Sequence, residues 1–381
     1  MATDFWHELA GQPEAVALIK KAIANRQDGV YHSWLITGPP GSGRSVLAEA
    51  FAAALECDQS GCGSCHSCVL AKAGTHPDIT VLSTEKVQIA IGEVRDLVTQ
   101  SSMGTTMGRY RIMIIEDADR MAPIASNVLL KALEEPPANT IWILCAPSEV
   151  DMLPTIRSRV RKVILKVPAV SDVAQLLVER DGIDPKLAAL VAAEAQSHIG
   201  MARRLALSAE ARERRRAYLT AAMSINNVGH ALKASNAWLD LAKKDAEALT
   251  KERDEEEKQS LLHSLGLTPT DTIPPQYRPD VKRLEEAQKR RATRSLRDGI
   301  DRILVDLLAL YRDVLTVQLY TGVALINKDL EIQIREVATS SKPEQTIHII
   351  DEIEKARDRI DRNVKDIFVL DSLATTLKRT A

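Results

Sequence analysis

The sequence of 381 residues lacks features that would tie it to a membrane or to export. Its N-terminal residues, MATDFWHELAGQ, have no basic, apolar and small-residue pattern of a signal peptide. The most apolar late stretch, Ile303–Ile326, contains Asp306, Arg312 and Asp313, which predicts a packed helix rather than a membrane span. We therefore expect a cytoplasmic protein that makes no membrane contact.

Strong charge of one sign is also absent. The formal net charge is −2, so the electrostatics do not favour a protein that coats nucleic acid. Aromatic residues make up only 3% of the chain, and no internal repeat or low-complexity tract is evident. The remaining composition, 45% apolar and 27% charged, is ordinary for a globular protein. A chain of this length normally forms two or three domains with substantial cores.

Residues His32–Glu49 form a pattern of strand, glycine-rich loop and helix that is typical of a phosphate-binding P-loop. The phosphate-binding positions would be Gly38, Gly41, Gly43, Arg44 and Ser45. Loop N–H groups and the helix N-terminus would hold phosphates, and Ser45 would reach Mg²⁺. Arg44 stands where the pattern has lysine, and its planar fork needs more room. The sequence therefore predicts a phosphate pocket and leaves open whether it binds ATP and Mg²⁺ or hydrolyses ATP.

Five short apolar segments alternate with helical segments, which predicts an α/β fold with a parallel sheet covered on both faces. The predicted strands are Ser33–Thr37, Ile79–Leu82, Arg111–Ile115, Ile141–Cys145 and Val163–Leu165. The helices predicted before and between them are Pro13–Asn25, Ser45–Glu56, Ile91–Gln100 and Ser126–Glu135.

Two carboxylates, Glu116 and Asp117, directly follow the third predicted strand. A P-loop ATPase places its Mg²⁺-coordinating and water-activating carboxylates here, ordinarily in the order Asp-Glu. The inverted Glu116 could still reach Mg²⁺ or its water shell, whereas Asp117 is a weaker candidate for orienting a hydrolytic water. The alternative role for both is to cap the following helix.

Four of the five cysteines are clustered, and a cytoplasmic location makes disulfides unfavourable. Cys57, Cys62, Cys65 and Cys68 have the spacing C-x4-C-x2-C-x2-C, which can close a tetrahedral thiolate site. The loop between them has little apolar content, so a bound ion would supply its stability. We predict a structural Zn²⁺ site. An iron–sulfur cluster is the alternative, although the Cys-Pro pair of ferredoxins is absent. Cys145 is predicted to be inert in the core.

No strand is predicted beyond Pro168. Residues Ser171–Arg204 read as a small helical unit, and the rest as helical and rich in charge. The segment Lys243–Arg297 contains a proline-bearing loop, Thr268–Pro279. Because its acidic and basic residues are interspersed, we favour two long solvated helices over a nucleic-acid-binding arm.

Together these segments resemble the bacterial DNA polymerase III clamp-loader subunits, a branch of the AAA+ ATPases. In order, the matching segments are Gly11–Gln12, His32–Leu35, the four-cysteine insertion, His76–Asp78, Gly108–Arg111 and Asn127–Pro137, the last being the most specific. Ser158–Arg159 resembles the family's Ser-Arg-Cys motif, with Val160 in place of cysteine. Arg203 falls at the second sensor position, and Pro147–Ser148 replaces the first sensor.

Within the family, Arg44 and the inverted Glu116–Asp117 pair most resemble the delta-prime type of subunit. The resemblance implies a stator-like member of a pentamer with gamma/tau and delta subunits, which loads the sliding clamp onto primer–template DNA. It implies that Arg159 acts in trans as an arginine finger on a neighbour's ATP. This chain would then be a component of the polymerase complex, not the polymerase itself, and at most a weak ATPase.

The resemblance also implies a domain division. Residues 1–167 would form an AAA+ P-loop domain with a zinc-binding insertion at 57–68, residues 168–208 a helical lid, and residues 209–381 an all-helical oligomerisation collar with a charged helical insertion at about 243–297. Two rival functions stay open: an active motor ATPase of the gamma/tau type, and a zinc-stabilised nucleic-acid-binding module.

Overall fold

The structure is a computed structural model that describes residues 6, 9–25, 30–83, 88–264, 274, 277–362 and 364–378. The chain divides into two units, Met1–Leu207 and Ser208–Ala381. Most of the predicted proline-bearing loop Thr268–Pro279 lies outside the described residues. Within the described ranges, no helix is both long enough and apolar enough to cross a bilayer.

The N-terminal unit is a mixed α/β structure. Its strands are β1 (Ser33–Thr37), β2 (Ile79–Leu82), β3 (Arg111–Ile115), β4 (Thr140–Ala146) and β5 (Arg161–Ile164). Its helices are α1 (Pro13–Ala24), α2 (Arg44–Glu56), α3 (His66–Lys72), α4 (Ile91–Ser101), α5 (Pro123–Glu134), α6 (Pro154–Arg157), α7 (Val170–Asp181), α8 (Pro185–Glu194) and α9 (Ile199–Leu207).

The five strands form one parallel sheet in the order β2-β3-β4-β1-β5. This confirms the predicted fold class. The fifth strand begins earlier than predicted, because β1 pairs Trp34 with Arg161 and Thr37 with Ile164. The exposed Arg161 side chain lies over the Trp34 ring, 5.1 Å from its centroid, which explains how a charged residue starts a strand at the sheet edge.

Alternate side chains of each central strand enter two separate cores. Trp34 and Ile36 pack with α1 and α2 on one face, whereas Leu35 packs with α4 and α5 on the other. Strands β1, β3 and β4 are buried along their whole length, as a sheet covered on both faces requires. The carboxyl ends of β1 and β3 therefore open at the same edge, where the P-loop and the two carboxylates begin.

The C-terminal unit consists of helices and their connections, without a strand among its described residues. Its helices are α10 (Ala209–Met223), α11 (Val228–Ser264), α12 (Arg278–Gln318), α13 (Glu331–Ser340), α14 (Pro343–Asp361) and α15 (Asp366–Thr376). Helices α11 and α12 pack antiparallel, with Gly299 against Ala242 at the middle of α12 and Arg291 paired to Asp254 and Glu257 closer to the C-terminus of α11. The interspersed charges of this segment thus partly neutralise each other across the helix pair.

A buried ionic network lies in the core of this unit. Asp306, which is 1% exposed, accepts a hydrogen bond from Tyr218 Oη and one of 2.7 Å from Arg302. The guanidinium of Arg215, 4% exposed, lies 3.5 Å from Asp306 and donates a 2.6 Å bond to Asn327. Burial and the Asp306 charge raise the pKa of Tyr218 well above its usual range.

Candidate functional site

The P-loop leaves β1 and turns into α2 through two glycines with positive φ angles, Gly41 at 78° and Gly43 at 94°. A side chain at position 41 would collide with the ring of His198, whose Nδ1 lies 2.6 Å from the position of such a Cβ. Ile199, the first residue of α9, also donates a hydrogen bond of 3.4 Å to the Gly41 carbonyl. Glycine is required here because the chain preceding α9 lies directly on the loop.

A cavity of about 320 Å³ lies between the P-loop and the N-terminal part of α9. It is lined by Gly41, Gly43, Arg44, Ser45, Val46, Arg180, Ile199, Gly200 and Arg203. Asp181 holds Arg203 at 3.0 Å and also pairs with Arg180. Burial alone would raise the pKa of Asp181, but these two arginines lower it below its usual range. Three arginines and the N-terminus of α2 make the cavity suited to an anion.

Arg44 extends from the start of α2 to the end of β3, where one terminal nitrogen lies 3.7 Å from Asp117 Oδ1. Its other terminal nitrogen, NH1, is buried and has no hydrogen-bond partner among the described residues. Asp117 has a positive φ of 47°, which is unusual for a residue other than glycine, and it also lies 3.9 Å from Arg120. The P-loop arginine and the strand-end carboxylate therefore form one electrostatic pair.

The neighbouring carboxylates complete this edge of the sheet. Glu116 is half-buried at the end of β3. Asp119 has one carboxylate oxygen buried without a hydrogen bond among the described residues, and burial, together with the Asp117 charge, raises its pKa. Beyond β4, Ser148 accepts a 3.4 Å hydrogen bond from Val150 N–H and caps a short 3-10 turn.

Arg159 lies between α6 and β5 and does not line the cavity. Its Nε donates a 2.6 Å hydrogen bond to Glu134 Oε1, and its NH2 faces the same oxygen. Its NH1 donates to the Thr155 carbonyl at 2.8 Å and to Ser158 Oγ at 3.0 Å. The side chain is 34% exposed, so it can be reached from outside the subunit.

The four clustered cysteines converge on one point. Cys57 ends α2, Cys65 precedes α3, Cys68 is buried within α3, and their sulfur atoms and that of Cys62 all lie within 4.8 Å of one another. Two of the S···S distances are 3.6 and 3.7 Å. A tetrahedral Zn²⁺ site with Zn–S bonds of about 2.3 Å has S···S edges of roughly 3.8 Å. The cluster therefore has the dimensions of a single-ion site, whereas an iron–sulfur cluster would spread its thiolates further.

Backbone N–H groups stabilise the thiolate form within this cluster. The Cys65 N–H points at the Cys62 sulfur at 3.3 Å, and the Cys62 N–H points at the Cys57 sulfur at 3.4 Å. Hydrogen bonds from Ser64 and Cys65 lower the pKa of Cys62 to about 6. By contrast, burial raises the pKa of Cys145, which is 2% exposed in β4, as predicted for an inert core thiol.

A second polar cluster beside the sheet was not predicted. The fully buried Asp78 accepts hydrogen bonds of 2.6, 2.8 and 2.7 Å from the N–H groups of Thr106, Met107 and Gly108. The adjacent Glu56 accepts from the N–H groups of Arg109 and Tyr110, and burial raises its pKa to about 6. Hydrogen bonds thus link two of the family segments, His76–Asp78 and Gly108–Arg111.

The structure brings Arg44, Ser45, Asp117 and Arg203 to one side of the N-terminal unit. A P-loop after the central strand β1, carboxylates after β3 and the strand order β2-β3-β4-β1-β5 define a P-loop domain of the AAA+ class. Residues 11–169 match the family model described as DNA polymerase III, delta subunit. This part of the chain is therefore similar to that family over 159 residues.

Relatives of known function agree with the family match. The chain is 40% identical over 134 residues to DNA polymerase III subunit delta' of Pseudomonas aeruginosa. The aligned region covers 34% of this chain and 41% of that protein. It is 36% identical over 156 residues to the Escherichia coli subunit delta', which covers 39% and 47%. A gamma/tau subunit of Mycobacterium tuberculosis is 32% identical over 158 residues, covering 40% and 27%. The chain thus matches less than half the length of these relatives.

Among solved structures, a Thermotoga maritima RuvB mutant matches 70% of this chain and 86% of its own, with a TM-score of 0.41 at 17% identity.

Proposed function

We propose that this chain is a delta-prime-type subunit of a bacterial DNA polymerase III clamp loader in the cytoplasm. Its partners would be gamma/tau and delta subunits in a pentamer, which places the sliding clamp on primer–template DNA. The similarity of residues 11–169 to chains named delta' supports this choice. In this proposal residues 168–208 form the lid over the P-loop and residues 209–381 contribute to the collar of the pentamer.

One observation carries the proposal that this subunit is not itself the motor: the contact between Arg44 and Asp117. In an active P-loop ATPase the corresponding lysine binds the β- and γ-phosphates, and the strand-end carboxylate holds Mg²⁺. Here the two groups face each other, so each partly neutralises the charge that the other would offer to a nucleotide. Binding of ATP and Mg²⁺ would have to separate this pair, which disfavours turnover.

The same proposal assigns roles to the remaining site residues. A nucleotide, where bound, would contact Gly38, Gly41, Gly43, Arg44, Ser45 and Arg203, and its Mg²⁺ would lie near Glu116 and Asp117. Cys57, Cys62, Cys65 and Cys68 would hold a structural Zn²⁺ that stabilises the insertion and takes no part in the chemistry. Arg159 would supply positive charge to the γ-phosphate of a neighbouring subunit's ATP, where charge develops during phosphoryl transfer.

A motor subunit of the gamma/tau type is the second candidate. It is favoured by the retained P-loop glycines, by Ser45 at the cavity, and by the similarity to a gamma/tau chain. Turnover of ATP by the isolated chain at ordinary motor rates, abolished by Arg44→Ala, would support this candidate. Binding without turnover, or no binding, supports the delta-prime role.

The decisive experiment is reconstitution of the clamp loader with Arg159→Ala. An arginine finger contributes about 10³- to 10⁵-fold to phosphoryl transfer, so we expect the complex to lose the turnover of the one site that Arg159 serves. Arg157→Ala, which removes a charge two residues away, is the matched control and should leave the rate unchanged. An unaltered ATPase rate with Arg159→Ala would show that the finger assignment is wrong.

A further inference from the structure

The Arg159 side chain is engaged by its own subunit on every nitrogen. Its Nε and NH2 both face Glu134 Oε1, and its NH1 donates to the Thr155 carbonyl and to Ser158 Oγ. An arginine finger needs a free edge of the guanidinium to form two parallel hydrogen bonds with phosphate oxygens. In the isolated subunit the edge formed by Nε and NH2 is occupied by Glu134.

The backbone beneath this side chain is anchored, so only the side chain has to move. The Arg159 N–H donates to the Ile156 carbonyl at 2.9 Å, and its own carbonyl accepts a 3.3 Å hydrogen bond from Tyr31 Oη. Glu134 is the last residue of α5 and therefore also has a fixed backbone. A rotation of either side chain would break the ion pair without unfolding any element.

The ion pair between Arg159 and Glu134 is partly exposed to solvent, so it can break and form again readily. Its arginine is 34% exposed and its glutamate 46% exposed. Pairs that are accessible to water in this way are worth about 0–1 kcal/mol, in contrast to fully buried pairs. The contact can thus hold Arg159 in the free subunit and still be displaced by a more highly charged anion.

We propose that Glu134 is a positioning residue that retains Arg159 on its own subunit until a nucleotide phosphate on the neighbouring subunit replaces the carboxylate. This inference rests on the proposed finger function of Arg159. A carboxylate and a phosphate compete for the same edge of the guanidinium, because both accept two N–H bonds in one plane. A triphosphate, with its higher charge, displaces Glu134 better than a diphosphate does, so finger insertion reports the neighbour's nucleotide state.

The competition has a measurable consequence. If only a fraction of the subunits has Arg159 free, the apparent affinity for the ATP-bound neighbour is reduced by that fraction. Glu134→Gln removes the charge of the competitor but keeps the shape of the side chain. We expect this variant to lower the subunit concentration that half-maximally stimulates ATPase activity by about two- to fivefold, with an unchanged maximal rate.

The test uses the full chain added to the other clamp-loader subunits. Titrations of the wild type, Glu134→Gln and Arg159→Ala are compared with Glu135→Gln, the matched control. Glu135 is the next residue, is exposed, and has no side-chain hydrogen bond or ion pair among the described residues. In the isolated chain, the ¹⁵N-detected Arg159 Nε–H should exchange with water faster in Glu134→Gln and at the wild-type rate in Glu135→Gln.

The outcomes separate this inference from the proposed function. If Arg159→Ala abolishes stimulation while Glu134→Gln leaves the half-maximal concentration unchanged or raises it, or lowers the maximal rate, retention by Glu134 is wrong and the finger stands. If Arg159→Ala stimulates as the wild type does, the finger function itself is wrong, and the retention proposal falls with it. A lower half-maximal concentration with faster Nε–H exchange supports the proposal.

Discussion

Two buried carboxylates, Asp78 of the N-terminal unit and Asp306 of the C-terminal unit, obtain their hydrogen bonds in different ways. In the N-terminal unit, Asp78 accepts its three shortest hydrogen bonds from backbone N–H groups of one loop, and the Arg111 side chain adds a longer one of 3.4 Å. In the C-terminal unit, Asp306 is surrounded by side chains, those of Tyr218, Arg302 and Arg215. The backbone N–H donors of the loop are present whatever its side chains are. A side-chain donor, by contrast, is lost when its residue is substituted.

This difference predicts where each unit is sensitive. The N-terminal unit depends on short segments whose residue types and spacing fix the backbone, such as the cysteine insertion and the segment ending in Asp78. The C-terminal unit depends on contacts between residues far apart in sequence, such as Arg215 with Asn327.

Removal of the metal should disrupt the cysteine insertion and leave the C-terminal unit intact. Structural Zn²⁺ contributes about 10–16 kcal/mol of apparent binding free energy in zinc-finger peptides, and this loop offers little apolar burial to replace it. We expect one equivalent of Zn²⁺ per chain by metal analysis. Chelation should cause fast hydrogen exchange across residues 57–72, with unchanged exchange in α12.

Two substitutions check this expectation. Cys68→Ser should lose the metal, because it removes one of four thiolates, whereas Cys145→Ala should keep it, since Cys145 lies apart in the β4 core. A chain that purifies without stoichiometric metal, or whose exchange is unaffected by chelation, would contradict the structural Zn²⁺ site.

The buried ionic network should give the next largest effect. Asp306→Ala leaves Arg302 and Arg215 without their buried counter-charge, and removal of one partner from such a network costs about 3–5 kcal/mol. The control lies on the same helix: Asp301 pairs with Arg357 at an exposed site, so Asp301→Ala should cost about 0–1 kcal/mol.

Calorimetry can assign these losses to the C-terminal unit. The unfolding transition of that unit should shift down strongly with Asp306→Ala and little with Asp301→Ala, while the P-loop unit keeps its own transition. Equal shifts for the two variants would mean that the network is no more important than a surface ion pair, and the contrast between the units would fail.

The α/β fold could be predicted from the sequence because each sequence pattern that indicates it is short. The apolar strands, the glycine loop and the cysteine spacing each lie within a few consecutive residues. Among the strands, the start of β5 was displaced most, since it is set by pairing with β1 and by the contact of Arg161 with Trp34 rather than by apolar residues. Helix α5 begins three residues earlier than predicted, at Pro123.

Contacts between segments were not predictable in the same way. The segments His76–Asp78 and Gly108–Arg111 were both recognised, but nothing in either indicates that the Asp78 carboxylate accepts hydrogen bonds from the N–H groups of Thr106, Met107 and Gly108. Likewise, Glu134 and Arg159 were each within recognised segments, while their ion pair depends on how α5 and α6 pack. In the C-terminal unit, helical periodicity indicates which faces are buried but does not identify the partners of Asp306.

Loss of the hydrogen bonds to the Asp78 carboxylate should give the smallest of these losses of stability, and this loss should depend on pH. Burial would raise the pKa of Asp78, but hydrogen bonds from Met107, Thr106 and Gly108 lower it below its usual range. A carboxyl group with a lowered pKa stabilises the fold above its unfolded pKa of about 3.9, and this stabilisation is lost as the pH falls through the folded pKa. Asparagine can keep one oxygen for the N–H groups of Met107 and Gly108 and lose the bond from Thr106. One hydrogen bond to a charged group is worth about 1.5–3 kcal/mol, so we expect Asp78→Asn to cost about that much at neutral pH.

The measurement is hydrogen exchange of the loop around Thr106–Gly108 at a series of pH values. At pH 7 the loop of Asp78→Asn should open more often than that of the wild type; the difference should begin to shrink as the pH falls below about 4 and should vanish only below the lowered folded pKa of Asp78. Of the other groups facing Asp78, Glu56 and His76 feel its charge, so their pKa values also change in Asp78→Asn. The range below about pH 4, where Glu56 is already protonated, is therefore the one that reports the titration of Asp78 itself. A difference that persists unchanged into acid would show that the shape of the side chain, and not its charge, holds the loop.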